Sequence, residues 1–309
     1  MKSKNNIIKF SIYLIITIGT TIFVYKYWKE INDLKIQNIS LLIPLTILFI
    51  LFSIISSLIN IIIIKEFKIN LSFKESFSLS IINTLGNYIS PFRGGSISNA
   101  IYLKKKYKFS YSSFISMLSG IYIIVFWINT LVGITALIIT KIYYNIFSIV
   151  IFMVFISCFL TLSIVIIISP KLHKTKYNFV NKFIDVINNW RLIRKNLKTL
   201  IQVACLSFIN IIIMTCMSYL EFQLIGTNIG IIKLLVMAIF SSFSIFLSIT
   251  PANLGIREAF SLYSGQLLNI PIAQVLAVSI IDRLISFILS LILGIYFSNK
   301  LLNKTYEKE

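Results

Sequence analysis

Apolar positions in this chain come in long unbroken runs, not at alternating or one-face spacing. Ile43–Ile64 and Ile146–Ser169 each run about twenty residues without a charge, the length one helix needs to cross ~30 Å of hydrocarbon. No alternating ten-residue pattern points to a transmembrane barrel. Taken in order, the runs predict six full spans at about Ile7–Tyr25, Leu41–Ile64, Tyr111–Thr140, Ile146–Ser169, Leu200–Ile225 and Ile272–Ser298. No small-residue cleavage site follows the first, so it reads as a retained span rather than a signal peptide. Tyr25, Tyr27 and Trp28 close it as an interfacial anchor.

Two further apolar stretches are interrupted. Ser76–Leu103 is broken by Ser90-Pro91-Phe92-Arg93-Gly94-Gly95, and Leu234–Gly265 by Thr250-Pro251-Ala252-Asn253-Leu254-Gly255, followed by Arg257 and Glu258. A charge at the bilayer centre costs roughly 2.5–3.5 kcal/mol on insertion scales. Broken backbone at that depth is tolerated only inside protein or beside a wet cavity. The second stretch therefore reads as a helix that enters the membrane, breaks at Pro251–Gly255 and restarts at Ile256. Its new N-terminus and Arg257 would form an anion site, and phosphate is the obvious anion in a membrane. Pro91, Gly94, Pro251, Asn253 and Gly255 are the helix-break residues. The alternative is a short turn outside the membrane with Arg257 and Glu258 solvated.

Composition fits this class: 57 % of residues are hydrophobic and 13 % charged. The net charge of +19 could suggest nucleic acid, but Lys and Arg sit mostly at span ends, where they set orientation and meet anionic headgroups. With a cytoplasmic N-terminus and both broken segments re-entrant, 21 of the 29 Lys and Arg lie on the cytoplasmic side. Five lie outside, and Arg93, Arg257 and Arg283 lie within the membrane. A full crossing by the first broken segment would move Lys104, Lys105, Lys106 and Lys108 outward and weaken the bias. The expected fold is all-α and integral to the membrane, with six spans and two Pro-broken re-entrant hairpins. Both termini face the cytoplasm.

The two breaks share a pattern, Ser90-Pro91-x-x-x-Gly95 and Thr250-Pro251-x-x-x-Gly255, in halves of opposite orientation. The following spans share apolar-x-Gly-Ile at Gly133 and Gly294. This predicts one polytopic domain over 1–309, with inverted-topology repeats at about 41–140 and 200–298 and the site at their interface. Between them, 170–199 carries Phe179, Phe183, Val186, Ile187, Trp190, Ile193 and Leu197 at helical spacing, with basic residues largely off that stripe. It reads as an amphipathic helix on the cytoplasmic leaflet, or alternatively as a linker helix packed on the protein. Cys158, Cys205 and Cys216 lie in apolar runs without metal-ligand spacing, and the lone His173 lies in a basic loop. No metal site, hydrolase triad or cofactor is expected.

The motif Pro251-x-x-x-Gly255-x-Arg257-Glu258, with Asp282-Arg283-Leu284 and Gly294-Ile295 following, resembles the flippase-like membrane domain of lysylphosphatidylglycerol synthases. That domain is the N-terminal part of the multiple peptide resistance factor, and it also occurs alone. Asn83…Pro91-x-Arg93-x-Gly95 resembles the family's first stretch, and the resemblance covers nearly the whole chain. It implies a lipid translocase of the cytoplasmic membrane, with resistance to cationic peptides as its biological consequence. The chain departs from the pattern where Ser96-Ile97-Ser98-Asn99 replaces the family's Glu and Arg, and where Ile121-Tyr122 replaces an acidic–arginine pair. A proton-coupled mechanism resting on two symmetric carboxylates is therefore not expected. With only eleven residues after Ser298, the synthase's aminoacyl-transferase domain has no place here, and the chain is not expected to be an enzyme. The substrate-binding candidates are Arg93, Gly95, Arg257, Glu258, Asp282 and Arg283, acting on anionic phospholipid headgroups. Arg257 would pair with Asp282, and Arg283 with Glu258. The same charges could simply staple the hairpins to the last span. Asn87 and Asn253 could bond a headgroup or satisfy the broken helix ends. Two other functions share the geometry: a membrane partner of a lipid- or glycan-modifying enzyme, and a transporter of a small anionic or zwitterionic solute.

Overall fold

The structure, a computed structural model, describes residues 36–168 and 170–306. The expected first span and its anchor Tyr25, Tyr27 and Trp28 lie outside the described residues. The rest is helical. In order come α1 (Leu42–Lys65), α2 (Phe73–Ile89), α3 (Gly94–Tyr107), α4 (Tyr111–Tyr144) and α5 (Ile149–Ile167). Then follow α6 (Asn178–Lys195), α7 (Leu197–Leu224), α8 (Ile231–Ser242), α9 (Ile256–Leu267) and α10 (Ile272–Tyr306). Five helical stretches among the described residues are long and apolar enough to cross a membrane: Ile39–Lys65, Tyr111–Tyr144, Ile149–Ile167, Leu197–Leu224 and Ile272–Ser298. They match the last five expected spans, and the chain is a multi-pass membrane protein.

The remaining helices are short because the sequence breaks them. At 17 and 14 residues, α2 and α3 are each under about 26 Å at 1.5 Å per residue. α8 and α9 have 12 residues each. Helix starts are fixed by side-chain caps where a polar residue precedes an apolar run. Ser72, Ser110 and Ser148 accept the backbone N–H groups of Glu75, Ser113 and Ile151, and Asn196 accepts that of Thr199. Within the spans, hydroxyls bond back to their own helix, as Ser53 does to Phe49 O, Thr130 to Phe126 O and Ser207 to Val203 O. Such self-bonding lets small polar residues sit in hydrocarbon without an orphaned donor.

Two apolar cores hold the helices together. One surrounds Leu45, Phe155, Phe222, Leu234, Phe240 and Leu268. The other surrounds Ile63, Leu103, Phe114, Trp190, Ile193 and Val203. The second includes α6, whose C-terminal half docks on α4. Trp190 donates its indole N–H to Val165 O at 3.2 Å, and Ile193 lies against Gly120. That half therefore follows the packed-linker alternative, while Val180, Phe183 and Ile187 remain exposed along one face of the other half. Gly133 receives the ring of Phe155, and Gly294 receives Leu85 of α2.

The start of α2 is tied to the end of α3 through one carboxylate. Buried Glu75 accepts from Lys106 Nζ, Tyr102 OH and Tyr107 OH, each at 2.8 Å. Burial first, then the adjacent carboxylate, pushes both tyrosine pKa values up, so both hydroxyls stay protonated donors. Replacing Glu75 with Ala leaves these donors without their acceptor. It should cost about 1–3 kcal/mol, read as a lower melting temperature of the purified protein in detergent.

A second expectation concerns α2 against α3. A Cβ on Gly95 would lie 2.0 Å from the carbonyl oxygen of Asn83, whereas one on Gly120 would meet the flexible end of Ile193 at 2.7 Å. Gly95→Ala should therefore lower the melting temperature far more than Gly120→Ala, because backbone cannot step aside as a side-chain tip can.

Candidate functional site

The two breaks come together. In the first, α2 ends at Ile89, Ser90 is extended, and Phe92 and Arg93 take left-handed φ values of 53° and 59° before α3 begins. In the second, a short 3-10 stretch, Phe243–Leu247, follows α8. Phe126 of α4 packs on it, with ring centroids 5.1 Å from Phe243 and 4.5 Å from Phe246. The chain then turns through Pro251–Asn253, with positive φ at Ala252, Asn253 and Gly255, and restarts as α9. Gly255, at φ 82°, needs no side chain to avoid. Phe92 N–H donates to Ile249 O at 3.3 Å, joining one break to the other.

Broken backbone leaves polar groups without helical partners, and side chains fill most of that need. In the first break Asn87 Oδ1 accepts Gly95 N–H at 3.1 Å, and Asn83 Oδ1 accepts the Ser96 hydroxyl at 3.0 Å. In the second, Thr250 Oγ1 donates to Leu254 O, and Asn253 Nδ2 to Ser244 O, both at 2.8 Å. Asn87 and Asn253 are thus engaged with the breaks themselves. Gly95 is buried with its Cα against α2. There it lets α2 and α3 approach closely.

The charged residues fall into two sets with different surroundings. Arg283 of α10 donates to Ala252 O at 3.0 Å and to Asn253 O at 3.3 Å, and its Nε bonds Glu258. Glu258 in turn accepts Gly255 N–H at 2.7 Å. The expected free N-terminus of α9 is therefore already met by a carboxylate of the protein itself. Arg283 and Glu258 are mostly enclosed, with side chains 14 % and 12 % exposed. They hold the second break against α10.

Arg257 is placed otherwise. It pairs with Asp282 Oδ2 at 2.7 Å, yet its side chain keeps 41 % of its surface open against 12 % for Asp282. The pair is close but not aligned as a hydrogen bond, so Asp282 Oδ2 is a buried oxygen with a charge partner and no donor directed at it. Tyr88, one residue before the end of α2, interacts with Asp282, Arg257 and Arg283 and bonds Ser286. Arg93 is on the other break. Its guanidinium lies over the Tyr122 ring at 5.0 Å and bonds the Tyr122 hydroxyl, with no carboxylate partner among the described residues.

Of the six residues expected to bind substrate, the structure groups Arg257, Asp282, Glu258 and Arg283 at the second break. Arg93 stands on the facing break, and Gly95 is packed behind it. Three neighbours were not anticipated from the sequence: Tyr88, Tyr122 as the partner of Arg93, and Glu221 of α7. Glu221 is 3 % exposed, with Asp282 and Arg257 near enough to act on its charge. It had a signal, being the one charge in the apolar run 200–225, where an ionisable residue marks a function by default.

No curated protein and no solved structure matches the chain. The family model described as the lysylphosphatidylglycerol synthase TM region matches residues 11–294. With nearly its whole length matched, the chain belongs to the lysylphosphatidylglycerol synthase transmembrane-region family.

Proposed function

We propose that this protein translocates lipid, passing an anionic headgroup across the membrane between the two breaks while the acyl chains stay in hydrocarbon. The observation that carries this reading is Arg257, a guanidinium at the meeting point of two broken segments, open over 41 % of its side chain and held by a single carboxylate. A guanidinium fits a phosphodiester with paired donors, and Asp282 is the group a headgroup would displace. Arg283 and Glu258 keep the second break in shape for that exchange. Arg93, held over Tyr122, offers a second cation from the facing side. The reading is one of movement and involves no chemical conversion of the lipid.

In this reading the breaks are tips of re-entrant hairpins in two inverted repeats, α1–α4 and α7–α10. The packing supports it. α1 packs on α7; α2 of the first half packs on α10 of the second, and α8 of the second packs on α4 of the first. Exchanging the halves reproduces this pattern, as a two-fold axis in the membrane plane requires. With positive-inside orientation, the hairpins would open to opposite sides. Single cysteines at Lys105 and Lys233, in a background lacking Cys158, Cys205 and Cys216, should then be labelled from the cytoplasmic and outer faces respectively by an impermeant maleimide. Labelling of both from one face would remove the inverted arrangement.

Function is tested with headgroup-labelled phosphatidylglycerol and a labelled polyprenyl-phosphate sugar in proteoliposomes. Asp282→Asn should abolish movement while leaving the melting temperature within a few degrees of wild type, because the Arg257 it leaves is 41 % exposed; Arg257→Lys, which keeps a cation beside Asp282, should cut movement sharply at similar stability. Arg283→Ala should instead destabilise, because it strands Glu258 and two backbone carbonyls; a broken buried pair costs about 3–5 kcal/mol. If well-folded wild type moves no lipid, translocation is wrong and the assembly-partner reading takes its place.

A further inference from the structure

The segment that follows α5 is fastened to α6 by two asparagines. Leu172 N–H donates to Asn188 Oδ1 at 3.0 Å, and Asn188 Nδ2 donates back to Leu172 O at 2.9 Å. Thr175 N–H donates to Asn181 Oδ1 at 2.7 Å, and Asn181 Nδ2 returns a bond to Thr175 O at 2.8 Å. The lengths match. Three extended residues span about 10 Å, and seven helical residues rise ~10.5 Å. Between the two fastenings Lys174 Nζ lies 3.5 Å from Asp185 Oδ1. Residues 171–176 are therefore an extended strap held antiparallel along one face of α6. A second face packs on α4 and α5: Asn189 Nδ2 donates to Ser116 Oγ at 3.3 Å, and the Trp190 indole to Val165 O. A third face remains. Val180, Phe183, Ile187, Arg191 and Arg194 follow one another at steps of three or four residues and form one stripe. Its first three members are exposed, Phe183 by 56 %.

We propose that this third face, with the strap beside it, docks on the anionic lipid surface of the leaflet at that end of the spans, the inner one on the positive-inside orientation. Its position allows little else. α5 ends at Ile167, two residues past the carbonyl that Trp190 holds, and α7 begins after the single residue Asn196. α6 is thus fixed at the level where two spans leave the bilayer, with lipid headgroups beside it. Charge selects which headgroups. Between Pro170 and Thr199 there are eight Lys and Arg against the single Asp185. An apolar stripe ending in two arginines, flanked by a lysine-bearing strap, fits a surface with acyl chains beneath phosphates. Val180, Phe183 and Ile187 enter the boundary between headgroup and chain. Arg191 and Arg194 lay their stems along it and take phosphate. The strap keeps Lys171 and Lys176 alongside α6, so their positions are set before any lipid arrives.

Two measurements test this on the full chain, and neither involves lipid movement, so the docking stands or falls apart from translocation. Nitroxides on Phe183→Cys and Ile187→Cys, in a background lacking Cys158, Cys205 and Cys216, are placed in bilayers containing phosphatidylglycerol. They should collide with oxygen and be shielded from a water-soluble nickel chelate, which should reach a nitroxide on Lys176→Cys. Chelate reaching the first two as freely as the third overturns the proposal and makes an acidic protein the occupant. Native mass spectra of protein from mixed phosphatidylglycerol and phosphatidylcholine bilayers should show phosphatidylglycerol retained in preference. Replacing Lys171, Lys176 and Arg191 together by Gln should cut that preference several-fold, and the same change at Lys104, Lys105 and Lys108 should cut it less. Equal loss assigns the preference to net charge and overturns the patch. Asn181→Ala combined with Asn188→Ala frees the strap without removing a charge. A lowered preference in that variant supports the strap's part, and an unchanged one overturns it.

Discussion

Backbone enclosed in protein must have its hydrogen bonds satisfied, and the rest of this structure is arranged around two places where helix geometry cannot do it. Each break strands N–H and C=O groups, and each is repaired by side chains brought from elsewhere in the chain. Arg283 does most at the second break: one planar fork reaches two carbonyls and a carboxylate that itself caps α9. Such a repair fixes where α10 can sit. It also decides which charges remain for other work, because a guanidinium committed to backbone cannot also hold a ligand.

That division separates neighbours in sequence. Arg257 and Glu258 are adjacent, as are Asp282 and Arg283, and adjacent residues on a helix point about 100° apart. One member of each pair closes the break, and the other two form an ion pair left partly open. The same short motif thus both builds the break and furnishes a cation beside it.

Much of this was legible in the sequence. The unbroken apolar runs placed the five spans among the described residues to within a few residues, since hydrocarbon admits few other structures. Prolines 91 and 251, each ahead of a glycine, marked the breaks. The pairing of Arg257 with Asp282 and of Arg283 with Glu258 followed from the cost of isolated charge. Less legible were contacts set by tertiary approach alone. Nothing local tells that Gly95 would be a packing surface or that Tyr122 would take Arg93, whereas Glu258, three residues after Gly255, stands where a capping box puts its carboxylate. Glu221 was visible as a lone charge in an apolar run, but the charges that act on it, Asp282 and Arg257, are on other helices. Periodicity describes how a helix faces and is silent on which helix it faces.

The crossing of α2 with α10 has a consequence in time. Leu85 fills the notch above Gly294, a residue 209 positions further along the chain. At a synthesis rate of about 5–20 residues per second, α2 would wait on the order of ten to forty seconds for the surface it packs against. During that interval the first break has no second break to bond with, and Phe92 N–H has no Ile249 carbonyl. The packing of the first half is therefore completed only by residues made after it. A chain truncated before α10 would leave Leu85 without the notch at Gly294 that it fills.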